Sequence, residues 1–288
     1  MITTKLSLQD SLPLTCSRTG TCCHGKQVLL NPWELLCIAK EKKISPKEFQ
    51  DLYCDLGGIR LRFDGNKDKL GQSACGQYIE NFGCAVHLGR PLACRLYPLG
   101  RQIQNEEVQY IFEGKEFPCL NGCSEVTSLP YLSVGEYLQG QVSEKFENSQ
   151  DEYLEVMQNL ADVAFALLLD TGLSASGDKT TIQEWRKIGE ESPEILAERI
   201  GKEWRDAIML PKITEQLEDP ILFARRHNEI LQLKVQATFG ALQTNQEFHE
   251  ASVLIMAVAL YLAKAIGANP TLLAEHWIEI AKSNGALG

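Results

Sequence analysis

From about residue 130 onward, apolar residues recur at helical spacing. Leu154, Met157, Ala161, Phe165 and Leu168 fall on one helix face, and Ile221, Ala224, His227, Leu231 and Val235 on another. Helix starts punctuate the same stretch. Ser133-Val134-Gly135-Glu136, Ser149-Gln150-Asp151-Glu152 and Thr181-Ile182-Gln183-Glu184 each have the form of a capping box, in which the two side chains accept from each other's backbone N–H. Ser192-Pro193, Asp219-Pro220 and Asn269-Pro270 put a side-chain acceptor at the N-cap and proline at the first helical position, where its missing N–H costs nothing. Gly172, Gly240 and Gly267 are positioned as helix stops. The pattern predicts five to seven helices in a bundle. The longest apolar run, Val253 to Ile266, has 14 residues and includes Lys264. It is shorter than the roughly 20 residues a bilayer core requires, so a buried helix is expected.

The N-terminal half is less periodic. Asn31-Pro32-Trp33-Glu34 starts a helix through about Lys42, and Ser45-Pro46-Lys47-Glu48 starts a second. Gly58 to Phe63 and Val108 to Phe112 alternate as short strands do. The rest reads as loop, and the polar segment Gln139 to Gln150 reads as a linker. The expected fold is mainly α: a small loop-rich metal-binding cysteine domain over 1–130, followed by a helical bundle domain over 131–288.

Charge sharpens this division. The 288 residues carry a net charge of −10. Residues 1–123 hold 15 basic against 13 acidic residues, a net of +2, and the remainder 13 against 25, a net of −12. An acidic helical half repels phosphate, so no nucleic-acid partner is expected there; solubility, ahead of a basic protein partner, accounts for the charge. The first 15 residues hold no apolar run of signal-peptide length. A cytoplasmic protein without membrane association is expected. In that reducing compartment a structural disulfide framework is disfavoured.

All ten cysteines lie between Cys16 and Cys123. Eight are clustered: Cys16, Cys22 and Cys23; Cys75, Cys84 and Cys94; Cys119 and Cys123. Cys37, between Leu36 and Ile38 on a predicted helix, and Cys54 read as buried apolar residues. No two cysteines stand three apart, which removes the thioredoxin motif, the ordinary zinc ribbon and the bacterial ferredoxin run. The Cys-x3-Cys-x2-Cys spacing fails at Val126. The helical half has no Glu-x-x-His, and the chain has neither a P-loop nor a dinucleotide-binding glycine fingerprint. Adjacent side chains in an extended segment diverge, so Cys22-Cys23 suits two irons of one cluster, two sites, or one ligand beside a buried thiol. Cys119 and Cys123 are four apart, which on a helical turn puts both sulfurs on one face. His24 and His87 are candidate ligands or donors to ligands, and Cys84-x-x-His87 is a workable chelate. Arg90 and Arg95 are candidates either to offset thiolate charge or to form surface salt bridges.

Gly20-Thr21-Cys22-Cys23, Gly83-Cys84-Ala85-Val86-His87 and Arg90-Pro91-Leu92-Ala93-Cys94-Arg95-Leu96-Tyr97-Pro98 together resemble the YkgJ-type cysteine-cluster family. Its members are described as zinc- or iron-chelating, and flagellin lysine N-methylase carries a related cluster. The resemblance spans about Cys16 to Cys123. It departs from the family pattern Cys-x2-Cys-x2-Cys-Cys at Thr19, where the second cysteine is missing. Clustering and resemblance together imply metal ligation by Cys16, Cys22, Cys23, Cys75, Cys84, Cys94, Cys119 and Cys123. The favoured cofactor is an iron–sulfur cluster, [4Fe–4S] in type, with a redox or enzyme-associated role. The alternatives are a zinc-stabilised structural or protein-interaction module, and a protein-modifying enzyme resembling flagellin lysine N-methylase. No catalytic residue is assigned.

Overall fold

The computed structural model describes residues 4–13, 20, 23–104, 107–112, 130–169, 179–213 and 218–286. In chain order the first elements are β1 Thr4–Leu6, β2 Ser11–Leu12, α1 Pro32–Lys42, α2 Pro46–Tyr53, β3 Cys54–Asp55 and β4 Arg60–Leu61. They are followed by β5 Tyr78–Ile79, β6 Gly83–Cys84, α3 Leu92–Leu96, β7 Leu99–Gln104, β8 Glu107–Phe112 and β9 Leu132–Ser133. Then come α4 Val134–Gln141, α5 Glu144–Leu169, α6 Lys179–Glu190, α7 Pro193–Met209, α8 Pro220–Phe239, α9 Asn245–Ala265 and α10 Pro270–Ser283. The chain is mainly α, and all the described strands precede α4.

One compact unit comprises Met1–Val28, Cys37–Ser45 and Leu61–Glu147. Its largest sheet is antiparallel with β8 at the centre. β1 pairs with it from Thr4↔Phe112 to Leu6↔Tyr110, and β7 from Leu99↔Phe112 to Gln104↔Glu107. A shorter pair, β2 with β9, sets Leu12 opposite Leu132. The Val134 and Gly135 amides donate to the Asp10 and Leu8 carbonyls, tying the N-terminal segment to the start of α4. There Ser133 and Glu136 form the expected capping box.

The other unit comprises Leu29–Leu36, Pro46–Arg60 and Asn148–Gly288. Its core is α9, which buries Ile255 through Ala263 continuously. α6 and α7 pack on α9, and α10 packs on both α6 and α9. Each large aliphatic side chain that α9 withdraws from water contributes about 1.5–3 kcal/mol. α9 is long and apolar enough to cross a membrane by length and composition alone, but 67% of its apolar window is buried within the fold. Ser192, Asp219 and Asn269 cap α7, α8 and α10 with proline at the helix start, as the sequence predicts. His227 of α8 is buried; its Nε2–H donates to the Ala207 carbonyl, which leaves Nδ1 to accept from the Tyr153 hydroxyl.

Several expectations change. Ser149 does not cap a helix: it lies inside α5, buried, and its hydroxyl donates to Asn31 Oδ1 at 3.3 Å. Asn31 itself caps α1 in a reciprocal exchange with Glu34, which explains the α1 start. Thr181 likewise lies inside α6, 2.7 Å from His249 Nδ1. The expected linker 139–150 is mostly helix, broken only at Val142, in the left-handed region, and Ser143. Gly58–Phe63 yields only the two-residue β4, because the preceding turn needs positive φ at Gly57 and Gly58. Gly57 also lets the turn approach α7 closely: a Cβ there would lie 2.6 Å from that of Ala197. The buried face of α5 centres on Tyr153, Val156, Met157, Leu160, Ala161, Ala164 and Leu168, leaving Leu154 and Phe165 at its margins. Gly172 lies outside the described residues.

Candidate metal centre

The cysteine-bearing segments are assembled by short backbone ladders. Residues 23–25 run antiparallel to 73–75. The Cys75 amide donates to the Cys23 carbonyl at 2.7 Å, His24 bridges Ala74, and the Gly25 amide donates to the Ser73 carbonyl at 3.1 Å. A turn at Gly20 precedes this ladder, closed by the Cys23 amide on the Gly20 carbonyl at 2.8 Å. Gly20 has φ +81°, and a Cβ there would lie 2.2 Å from the Tyr78 ring, so glycine is required twice over. His24 supports the same turn: Nδ1–H donates to the Gly20 carbonyl at 3.0 Å, and its ring meets Tyr78 edge to face at 5.1 Å.

The β5–β6 hairpin sets Cys84 opposite Tyr78. The Gln77 amide donates to Cys75 Sγ at 3.5 Å, and the Ala85 amide to the Gln77 carbonyl at 2.8 Å. Cys94 arrives on α3, whose first turn closes through its amide on the Pro91 carbonyl at 3.0 Å. Arg95, one residue on, is buried. Its guanidinium donates to the Arg90 carbonyl at 2.8 Å, to the Gln141 carbonyl at 2.6 Å and to the Leu88 carbonyl, and lies 3.8 Å from the Phe146 ring centre. This buried side chain fixes the loop before α3.

Cys23, Cys75, Cys84 and Cys94 line one cavity of about 110 Å³. The charged side chains on its wall are Lys26 and Arg90, with His87 beside them. Lys26 Nζ lies 3.6 Å from the centre of the Tyr97 ring, another wall residue. Arg90 is held by its own bonds to the His87 carbonyl and to Gln141 Oε1. Gln77 is 2% exposed and also lines the cavity, and neither atom of its side-chain amide has a hydrogen-bond partner among the described residues.

Electrostatics tie the four thiols together. Burial pushes the Cys75 thiol up to about 12, opposed by the Gln77 amide and assisted by Cys84, Cys23 and Asp64. Burial also raises Cys84, against the Val86 amide, Arg90 and Lys42. Cys94 lies well above the usual thiol range, first through burial and then through Cys75, Cys84 and Cys23, with Arg90 pulling the other way. Arg90 therefore has the charge-offsetting role that the sequence allowed. Without a cation the Cys75, Cys84 and Cys94 thiols stay protonated at neutral pH. A bound metal ion reverses that balance, because it holds the thiolate form.

The donor set fits a thiophilic metal. Its arrangement is open: among the described residues no three His, Cys, Asp or Glu side chains gather as a site for an ion. Cys16, Cys22, Cys119 and Cys123 lie outside the described residues. Cys54 is buried as expected, whereas Cys37 is half-exposed on α1. Lys26, Gln77 and Tyr78 were not singled out from the sequence, since nothing in a lone lysine, glutamine or tyrosine marks it as facing a cavity.

Residues 15–112 match the family model CxxCxxCC, described as "Putative zinc- or iron-chelating domain". Over that segment, about a third of the chain, the match is to the cysteine-cluster type that the sequence resembles. The match contains every residue lining the cavity and ends before Cys119 and Cys123. No curated protein and no solved structure matches the chain.

Proposed function

We propose that the cavity of this zinc- or iron-chelating domain holds an iron–sulfur cluster of the [4Fe–4S] type. Cys23, Cys75, Cys84 and Cys94 would hold it, with Cys16, Cys22, Cys119 and Cys123 as the remaining candidate ligands. One observation carries the reading: four thiols from separated segments line one cavity, and among the described residues no three of them gather as a site for a single ion. A single tetrahedral zinc needs its sulfurs about 2.3 Å from a common centre. A [4Fe–4S] cluster is held by four cysteine thiolates, one on each iron, which stand farther apart than the ligands of one ion. The cavity volume of about 110 Å³ is also several times the roughly 10–15 Å³ that a single water occupies.

When bound, such a cluster supplies one-electron transfer, either as the protein's own redox function or attached to an enzyme activity. The chain's residues do the rest. Arg90 and Lys26 offset the anionic charge of a thiolate-ligated cluster, and the apolar wall of Val28, Ile38, Leu61 and Val86 limits water around it. A reducing, cytoplasmic setting, in which thiols stay available for a metal, is part of this reading. The acidic C-terminal half remains the proposed surface for a basic protein partner.

Anaerobic reconstitution of the full chain with iron and sulfide tests this. The expected result is broad visible charge-transfer absorption with matching iron and acid-labile sulfide. Tight stoichiometric zinc binding with full thiolate ligation, and no cluster absorption, overturns it. That outcome supports the zinc-stabilised interaction module; the family description names zinc and iron equally.

A further inference from the structure

Gln77 lines the cavity, and its buried side-chain amide is left idle among the described residues. Its backbone is fully used: the N–H donates to Cys75 Sγ and the carbonyl accepts from Ala85. Its side chain is 2% exposed, and neither Nε2 nor Oε1 has a partner among the described residues. Burying an amide without a partner costs free energy that a leucine or methionine there would not. Among the described residues, the cavity wall gives the amide no hydrogen-bond partner. The cavity's occupant does.

We infer that Gln77 is a positioning residue for the bound metal group, its Nε2–H donating a hydrogen bond to a sulfur of that group. The inference rests on the cluster reading above and adds to it a residue that is not a ligand. The Gln77 backbone amide already donates to Cys75 Sγ, which places the residue beside a thiol of the cavity. Hydrogen bonds to cluster sulfurs stabilise the more negative, reduced state and so raise the reduction potential. Gln77 then tunes the potential without ligating iron.

The test compares the full chain with Gln77→Met, which keeps length and volume and removes the donor, and with Gln77→Asn, which keeps the amide on a shorter stem. All three are reconstituted anaerobically with iron and sulfide. Metal-free melting comes first: Gln77→Met should fold at least as well as the parent, since it removes an idle buried amide. Iron and sulfide content should be unchanged. The reduction potential should fall by about 59 mV, a tenfold change in the oxidised-to-reduced ratio for one electron. Gln77→Asn should fall between. An unchanged potential in Gln77→Met with a full cluster overturns the inference and leaves the cluster reading intact. If the parent takes up only zinc, the cluster reading fails, and zinc release to a chelator decides the Gln77 role. Release about tenfold faster from Gln77→Met, equivalent to about 1.4 kcal/mol, supports a hydrogen bond to a thiolate, and equal rates overturn it.

Discussion

Replacing Arg95 should unseat Cys94 without touching a thiol. Arg95 is buried, and its guanidinium joins three carbonyls, those of Leu88, Arg90 and Gln141, while facing the Phe146 ring at 3.8 Å. It thereby clamps the loop entering α3 against the end of α4. Hydrogen bonds to a charged donor contribute about 1.5–3 kcal/mol each, and a desolvated cation–π contact up to about 2. These share one side chain and do not add, so Arg95→Met should cost about 3–5 kcal/mol. Arg95→Lys should recover less than half of that, because a single ammonium cannot span three carbonyls as a planar fork does. The assay has two parts: denaturant unfolding of the metal-free chain followed by tyrosine fluorescence, and retained metal per chain after a fixed chelator challenge. Both should fall together in Arg95→Met. A variant within about 0.5 kcal/mol of the parent that retains all its metal would refute the clamp, because surface arginines away from such features cost no more than that.

Chelating the metal should expose the segment from Cys75 to Tyr97 to protease while circular dichroism of the helices after residue 134 stays constant; resistance at both places would mean the metal is not structural. His227 makes stability acid-sensitive: burial holds it at about 4 against an ordinary 6.5, so the unfolded chain takes up its proton first. Its contribution is complete above pH 6.5 and is lost as pH falls toward 4, about 3 kcal/mol in all, and urea midpoints of His227→Gln should lose that part of the pH dependence. Gly20→Ala combines positive φ with a contact on Tyr78 at 2.2 Å, and should destabilise the metal-free chain by about 1–3 kcal/mol in the same unfolding assay. A melt unchanged from the parent would show that the Gly20 turn yields without cost.

The helical half was legible where the signal is local. Ser192, Asp219 and Asn269 each stand before a proline, and each caps a helix in the structure, because acceptor and proline act within one turn of chain. Ser149 and Thr181 carry the capping-box spelling and do not cap, since flanking residues continue the helix and each hydroxyl finds a distant partner. Thr244 and Glu247 form a true box whose spelling is no better than theirs. A capping motif proposes a start, and tertiary burial decides it. The faces of α5 shifted for the same reason: a 26-residue helix meets different neighbours along its length, so one ideal stripe cannot describe it.

The cysteine spacings announced metal chemistry but not its geometry. Eight residues lie between Cys75 and Cys84 and nine between Cys84 and Cys94, and no helical or strand period relates such intervals. What brings the sulfurs to one cavity is a ladder between residues 23–25 and 73–75, a hairpin at Tyr78–Cys84 and a one-turn helix at Cys94, none of which has a distinctive spelling. The Arg-Pro-Leu-Ala-Cys-Arg run was legible as a motif, yet its two arginines look alike in sequence. Only burial separates them: Arg90 faces the thiols and lowers Cys84 and Cys94, whereas Arg95 turns away to hold carbonyls. The two charges therefore act on the site differently, one through the field at the sulfurs and one through the position of the backbone that carries them. Ionic strength should distinguish them: salt screens a field across a partly open cavity far more than it weakens short bonds made by a buried fork.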